Sequence, residues 1–288
     1  MLPLFIPFIQ QGIASQEVAY QHAGLTAMTL LIENCHESYK KELKNMVQLM
    51  LPLLQSDNPR IISDILIAMG YMSTEFAPEI QTNFGTMILE FISKAMKHPL
   101  KKVQYKAILC IVNFEQGLAE HKEVNVIEPY LPTILSDMAR IFEAALQQSN
   151  FIMLEAVLDS MSSIASINNF APYYATFMPG LKQVVSMVTS DTQQKISIKS
   201  KTIETMGDLL SSIKDNNELF KSECTLIMDS LMNLQTQLDK EDVMNRAIMT
   251  VYENVVEAMK ENFQMYSDFV FERAMDAALR PVDVQIID

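Results

Sequence analysis

The sequence NPRIISDILIAMGYMS, residues 58–73, decides the fold of this chain. Its apolar positions fall at 0, +4, +7, +8 and +11 from the first, namely Ile61, Ile65, Ala68, Met69 and Met72. This spacing places them on one face of an α-helix, whereas a strand would alternate its faces every second residue. Pro59 suits the first helical turn, where its missing N–H has no intrahelical partner to lose. We therefore predict an amphipathic helix.

A second apolar stripe of the same period lies just upstream and predicts a second helix. It consists of Leu43, Met46, Val47, Met50, Leu51 and Leu54. A polar link at residues 55–58 joins the two predicted helices, which would form an antiparallel pair. One such pair is too small to bury both stripes, so it needs neighbouring pairs.

The same template recurs along the chain, with anchors at residues 23, 61, 103, 153, 198 and 244. Three copies match it closely: Val103, Ala107, Cys110, Ile111, Phe114; Met153, Val157, Ser160, Met161, Ile164; and Met244, Ile248, Val251, Tyr252, Val255. Two match it less closely: Ile198, Thr202, Thr205, Met206, Leu209; and Ala23, Ala27, Leu30, Leu31, Asn34. The links repeat too, since Thr74-Glu75-Phe76-Ala77-Pro78 resembles Asn168-Asn169-Phe170-Ala171-Pro172.

The anchors are 38, 42, 50, 45 and 46 residues apart, close to the period of about 40–47 residues of HEAT and armadillo arrays. We predict an all-α fold, a right-handed HEAT-repeat α-solenoid of about six to seven antiparallel helix pairs. One continuous domain would cover residues 1–288, with repeats near 1–36, 37–75, 76–118, 126–168, 170–214 and 216–260 and a partial repeat at 261–288. A surface loop is predicted at 115–126. Because the pattern opens and closes within a repeat, we interpret the sequence as a piece of a longer array.

Composition and motifs argue against several functional classes. The net charge of −13 disfavours binding to nucleic-acid phosphates. No apolar run approaches the ~20 residues of a membrane span. The three cysteines are isolated from one another, which is typical of reduced thiols. The four histidines are scattered, and no Gly-rich phosphate loop, GxSxG or HExxH motif is present, so we expect neither an enzyme nor a bound metal or cofactor.

The face of the second helices opposite the apolar stripe carries the candidate binding residues, near positions −1, +3, +6 and +10 of the template. It combines acids, amides and apolar side chains: Glu33, Asp64, Ile67, Tyr71, Leu109, Asn113, Asp159, Glu204, Asp208 and Asn254. Lys102, Lys106 and Lys201 share this face, which is acidic on balance and not uniformly. Stacked repeats would add the fields of the acids along a groove that favours a basic partner. The alternative is that these charges only keep a helix surface solvated.

Several segments, in order along the chain, resemble the importin-β (karyopherin-β) family. They are YQHAGLTAM at 20–28, EFAP at 75–78, PYYATFMPGLK at 172–182 and KTIE at 201–204. The resemblance implies a central segment of a much longer nuclear transport receptor that shuttles between cytoplasm and nucleus. It implies basic cargo or localisation signals on the concave face, with Ran-GTP and FG nucleoporins binding mostly through other repeats. Two departures are that Gln21 and Ile62 stand where the family favours Arg, and that no long acidic loop is present.

The leading functional hypothesis is therefore a transport-receptor segment that binds basic protein cargo. The alternative is a generic HEAT scaffold of another complex, such as a phosphatase scaffold or a coat or adaptor subunit. Such a scaffold should lack the ordered segments that carry the importin-β resemblance.

Overall fold

The computed structural model describes residues 2–119, 121, 126–167, 170–239 and 242–278. Within these residues the regular structure is helical and no strand forms, as the helical period predicts. The α-helices are α1 Leu2–Ile13, α2 Val18–Tyr39, α3 Leu43–Met50, α4 Pro59–Glu75, α5 Glu79–Met96, α6 Lys101–Leu118, α7 Leu131–Gln147, α8 Phe151–Ile167, α9 Tyr174–Met187, α10 Gln193–Ser212, α11 Asn217–Gln237, α12 Met244–Met259 and α13 Gln264–Ala278. Short 3₁₀ segments occur at Lys40–Glu42, Leu51–Gln55, Glu128–Tyr130 and Lys260–Phe263.

Helix α4 illustrates how the sequence forms these elements. The side chain of Asn58 caps its start by accepting a hydrogen bond from the Arg60 backbone N–H at 2.9 Å, and Pro59 occupies the first turn. All five residues of its predicted stripe are fully buried. Burial of an Ile or Met side chain stabilises a fold by roughly 1.5–3 kcal/mol. Packing of this face therefore dominates the stability of α4.

The chain divides into two compact units, Met1–Asn168 and Asn169–Asp288. In the first unit α1 pairs with α2, α5 with α6 and α7 with α8, while the second helices α2, α4, α6 and α8 pack side by side in chain order. In the second unit α10 packs against α9 and α12, and α11 packs against α12. Each unit is thus a stack of helix pairs of the HEAT-repeat kind. One continuous solenoid over the whole chain stays a prediction.

The core stripes of α4, α6, α8, α10 and α12 are buried as predicted. The stripe predicted from Ala23 is wrong, because Leu30 is 55% exposed and the buried residues of α2 include Leu25 and Ile32. A Cβ added at Gly24 would lie 2.8 Å from the Ile13 backbone nitrogen. Only glycine allows α1 and α2 to approach so closely, and this contact fixes the rotation of α2.

The apolar stripe predicted from Leu43 to Leu54 ends differently from the prediction. Helix α3 stops at Met50, and the chain continues as a 3₁₀ helix that buries Leu53 and leaves Leu51 44% exposed. A 3₁₀ helix has three residues per turn, and Pro52 cannot donate the backbone hydrogen bond of an α-helix. The apolar face therefore changes register within this segment.

The loop predicted at 115–126 begins later than expected. Helix α6 continues to Leu118, and both Glu115 and Leu118 are buried. At this end Gln81 Nε2 donates hydrogen bonds to the Ser73 carbonyl at 2.7 Å and to the Phe114 carbonyl at 3.3 Å. These bonds join the ends of α4, α5 and α6. Residues 120 and 122–125 of the predicted loop lie outside the described residues.

The repeated Phe-Ala-Pro link places an aromatic ring in the core of each unit. Phe76 and Phe170 are both fully buried. The ring of Phe170 packs on that of Phe177, with a centroid separation of 5.7 Å. The link therefore anchors the start of the following helix pair. Residues 168 and 169 of the second copy lie outside the described residues.

The three cysteines are free thiols, and two of them occupy the core. Cys110 and Cys224 are buried, and burial raises the pKa of the Cys224 thiol to about 11. Cys35 is half-buried where the backbone of α2 departs from helical geometry. Two of the three thiols are therefore shielded from reagents at neutral pH.

Helix α13 is the last helix of the described chain. It agrees with the leading helix predicted for a seventh pair, but Leu279 and residues 280–288 lie outside the described residues. None of the helices in the described ranges is both long enough and apolar enough to cross a membrane.

Candidate functional site

The predicted binding residues lie on the second helices, and we call them the second-helix face. In the first unit they are Glu33, Asp64, Ile67, Tyr71, Leu109, Asn113 and Asp159; in the second they are Glu204, Asp208 and Asn254. Glu33 is exposed and the other nine are half-buried. None belongs to the core, as their positions opposite the apolar stripe predict. Whether the residues of the two units line one groove stays a prediction.

Polar contacts join α2 to α4 along this face. His22 Nδ1 lies 2.6 Å from Asp64 Oδ2, and Tyr71 Oη donates to Glu33 Oε1 at 3.4 Å. Near the end of the same two helices, His36 Nδ1 lies 3.0 Å from Glu75 Oε2. The carboxylates predicted to face a ligand therefore also link adjacent repeats. The sequence alone did not predict that the histidines link repeats, because His22 and Asp64 are 42 residues apart in the chain.

The phenol of Tyr71 is a hydrogen-bond donor on this face. Desolvation, followed by the charge of Glu33 and the hydrogen bond to it, raises the pKa of Tyr71 above its ordinary value. The hydroxyl therefore keeps its proton throughout the neutral range. With its proton in the hydrogen bond to Glu33, Tyr71 can offer an apolar ring and a hydrogen-bond acceptor to a bound peptide.

A glycine–asparagine contact recurs between second helices. A Cβ added at Gly70 of α4 would lie 2.8 Å from Asn113 Nδ2 of α6, and one added at Gly207 of α10 would lie 3.4 Å from Asn254 Nδ2 of α12. Each glycine stands at +9 of its repeat and each asparagine at +10 of the next. Because glycine has no side chain, the asparagine amide fits between the two second helices, and we call each of these two contacts a seam. The equal offsets of the two glycine–asparagine pairs are visible in the sequence, but the template considered apolar positions only.

The second unit holds two carboxylates one helical turn apart. Asp208 Oδ1 accepts a hydrogen bond from Asn254 Nδ2 at 3.3 Å. No hydrogen bond or ion pair to the Glu204 carboxylate occurs among the described residues. Like charges at i and i+4 of a helix destabilise it by roughly 0.2–0.5 kcal/mol. A cationic side chain placed between Glu204 and Asp208 would remove this repulsion.

The remaining candidates lie in the first unit, where two of them add apolar surface to the second-helix face. Ile67 on α4 and Leu109 on α6 are half-buried, as is Asp159 on α8. Such side chains could contact the apolar parts of lysine and arginine stems, which pack along apolar surface while their charged ends stay solvated. Within the described ranges, no group of three or more His, Cys, Asp or Glu residues could hold a metal ion. The face is therefore suited to binding a peptide through charge and apolar contact.

The chain has a relative that matches it nearly from end to end. It is 26% identical over 290 residues to Importin subunit beta-3 of Saccharomyces cerevisiae, a match that covers 99% of this chain and 25% of that protein. No family model matches the sequence. The chain therefore spans about a quarter of the length of this relative.

Solved structures of the karyopherin Kap121p share the fold of this chain, which is of the HEAT-repeat class. Kap121p bound to Pho4p superposes with a TM-score of 0.79 at 22% identity, covering 100% of this chain and 26% of that one. Kap121p bound to RanGTP gives a TM-score of 0.74 at 23% identity, covering 97% of this chain and 26% of that one. The HEAT-repeat prediction is confirmed, and so is the resemblance to the importin-β family.

The two departures from the family pattern have structural explanations. Gln21 Nε2 donates to the Ser15 carbonyl at 2.8 Å, which ties the start of α2 to the preceding turn. Ile62 is buried, where an arginine would lose its hydration. Between α2 and α4 the pair of His22 and Asp64 supplies a polar link between repeats.

Proposed function

We propose that this chain is a segment of a nuclear transport receptor and binds basic segments of protein cargo along its second-helix face. The observation that carries the proposal is the Glu204 carboxylate, which has no hydrogen bond or ion pair to a described residue and lies one helical turn from Asp208. A lysine or arginine of the cargo would lie between these two acids. Charge-assisted hydrogen bonds contribute roughly 1.5–3 kcal/mol, and less where solvent screens them.

In the first unit, the apolar members of the face would contact apolar residues of a cargo segment. Ile67, Leu109 and Tyr71 are half-buried, so a peptide could cover the rest of their surface. Asn113 and Asn254 offer amide groups at the seams, where they could pair with the main chain of an extended peptide. Recognition would then combine charge with main-chain hydrogen bonds.

The names of the similar proteins support this proposal. The yeast relative is an importin subunit, and Kap121p has been solved bound to Pho4p and to RanGTP. By analogy we propose Ran-GTP and FG nucleoporins as partners of the whole receptor, mostly through other repeats, and a location that alternates between cytoplasm and nucleus. Transport of this kind proceeds by binding and release, so we assign no catalytic step to the chain.

A pull-down with an immobilised lysine-rich signal peptide, with and without added Ran-GTP, tests this proposal. We expect the chain to bind the basic peptide and not the same peptide with its lysines replaced by serine. Binding of Ran-GTP itself is expected to be weak, because the family contacts it mainly through earlier repeats. Equal retention by both peptides would favour a generic HEAT scaffold instead.

A further inference from the structure

One stretch of the chain has a charge opposite to the rest. Residues 91–114 contain no Asp or Glu but carry five lysines: Lys94, Lys97, Lys101, Lys102 and Lys106. The whole chain has a net charge of −13, so removing these five positive charges leaves −18 for the other residues. A positive surface in so acidic a protein is not a consequence of overall composition.

The fold gathers these lysines at one turn. Lys94 and Lys97 lie at the end of α5, and Lys101 and Lys102 lie in the first turn of α6. All four are exposed, while Lys106 is half-buried with its amine 5.6 Å from the centroid of the Tyr105 ring. Arg140 of α7 joins them by donating from Nη2 to the Met96 carbonyl at 2.8 Å. We call these five lysines and Arg140 the lysine patch.

Little of this charge is neutralised by described neighbours. Asp137 Oδ2 lies 3.7 Å from Lys97 Nζ, and Asp137 Oδ1 lies 3.2 Å from Arg140 Nη2. One carboxylate therefore serves two cations. Lys101 Nζ contacts the neutral side-chain oxygen of Gln148. Lys94, Lys101, Lys102 and Lys106 form no ion pair with a described residue, so ion pairs within the folded chain do not account for the cluster.

The start of α6 strengthens the positive field. Its first turn holds no acidic residue, and Leu100 at the N-cap provides no side-chain cap. Lysines at a helix N-terminus oppose the helix dipole, which favours anions at that end. The arrangement is unfavourable for the isolated chain and becomes favourable when an anion binds.

We propose that the lysine patch docks an acidic peptide segment of a partner protein, at a surface that meets the second-helix face at Lys102 and Lys106 of α6. Leu100, half exposed at the centre of the turn, would contact an apolar residue of that segment. Lysine pairs with carboxylates and phosphates alike as a point charge, so the length of the ligand decides between them. A long polyanion would extend beyond the patch onto acidic surface and be repelled. A short acidic segment avoids this repulsion.

Fluorescence anisotropy with a labelled peptide of glutamates around a central leucine tests the proposal. The variant K97Q/K101Q/K102Q should bind this peptide about tenfold more weakly, because three exposed charge contacts are lost. The matched control K40Q/K41Q/K44Q removes the same charge from exposed lysines of the same unit and should change the affinity less than about twofold. L100S should weaken binding without altering its salt dependence.

Three results would overturn the proposal. One is the lack of saturable binding of the acidic peptide to the unmodified chain. Another is an equal loss of affinity in the control variant, which would mean that net charge and not the patch governs binding. The third is tighter binding of a short DNA duplex than of the peptide, which would assign the patch to nucleic acid. None of these measurements depends on the basic-cargo proposal.

Discussion

Changing Glu204 and Asp208 together to lysine should weaken the binding of a lysine-rich peptide by about thirtyfold. An exposed ion pair contributes roughly 0.2–1 kcal/mol, and reversal turns each attraction into a repulsion of similar size. Two positions therefore change the binding free energy by about 2 kcal/mol, which corresponds to about thirtyfold in Kd. Isothermal titration calorimetry of the peptide at low ionic strength measures this change in Kd.

The folded state should tolerate these substitutions. Both positions are half-buried, and the hydrogen bond that Asp208 accepts from Asn254 is lost at a cost of about 1 kcal/mol. Glu204→Lys alone breaks no described hydrogen bond and serves as the cleanest single variant. The matched control E218K/D229K reverses two exposed acids on the leading helix α11 of the same unit. If this control weakened binding equally, the carboxylates of the second-helix face would have no special role.

Gly117→Ala should destabilise the first unit by about 3 kcal/mol or more, although alanine favours helices over glycine by about 1 kcal/mol. An added Cβ would lie 1.9 Å from the Ser73 carbonyl oxygen and 2.6 Å from Gln81 Nε2. The carbonyl is backbone and cannot move aside as a side chain can. Relief requires α4 and α6 to separate, which also breaks the hydrogen bonds of Gln81.

Thermal unfolding followed by circular dichroism measures this effect. A loss of about 3 kcal/mol corresponds to a decrease in Tm of roughly 6–12 °C. Gly70→Ala is the matched control, since its Cβ would meet the flexible end of Asn113 and not backbone. We expect that variant to melt within about 2 °C of the unmodified chain. A Gly117→Ala variant that melts within about 2 °C of the unmodified chain would contradict the close approach of α4 and α6.

The periodic apolar stripes made most of the fold predictable. Burial in HEAT pairs is set by local spacing, so α4, α6, α8 and α12 follow directly from their residues. The register of α2 did not follow, because it depends on the contact of Gly24 with α1. The chain also changes from the α-helical period of α3 to the 3₁₀ period at Leu51–Gln55, and a single template cannot describe both periods.

The positions of the candidate binding residues were easier to predict from the sequence than the contacts that these residues make. The outward positions of the template found half-buried polar residues on the second helices. Their partners come from other repeats, as with His22 and Asp64 or Asn254 and Asp208. Sequence spacing along one helix contains no information about which residue of the next helix lies opposite. The glycine–asparagine seams are an exception, because their offset repeats.

Mapping the photo-crosslinks of a basic peptide tests the central claim most directly. The peptide would carry a benzophenone beside its lysines, and mass spectrometry would identify the modified residues of the chain. We predict adducts on the second helices, near Asp64 of α4, Leu109 of α6 and Glu204 of α10. Adducts confined to the leading helices α5, α7, α9 and α11 would contradict binding at the second-helix face.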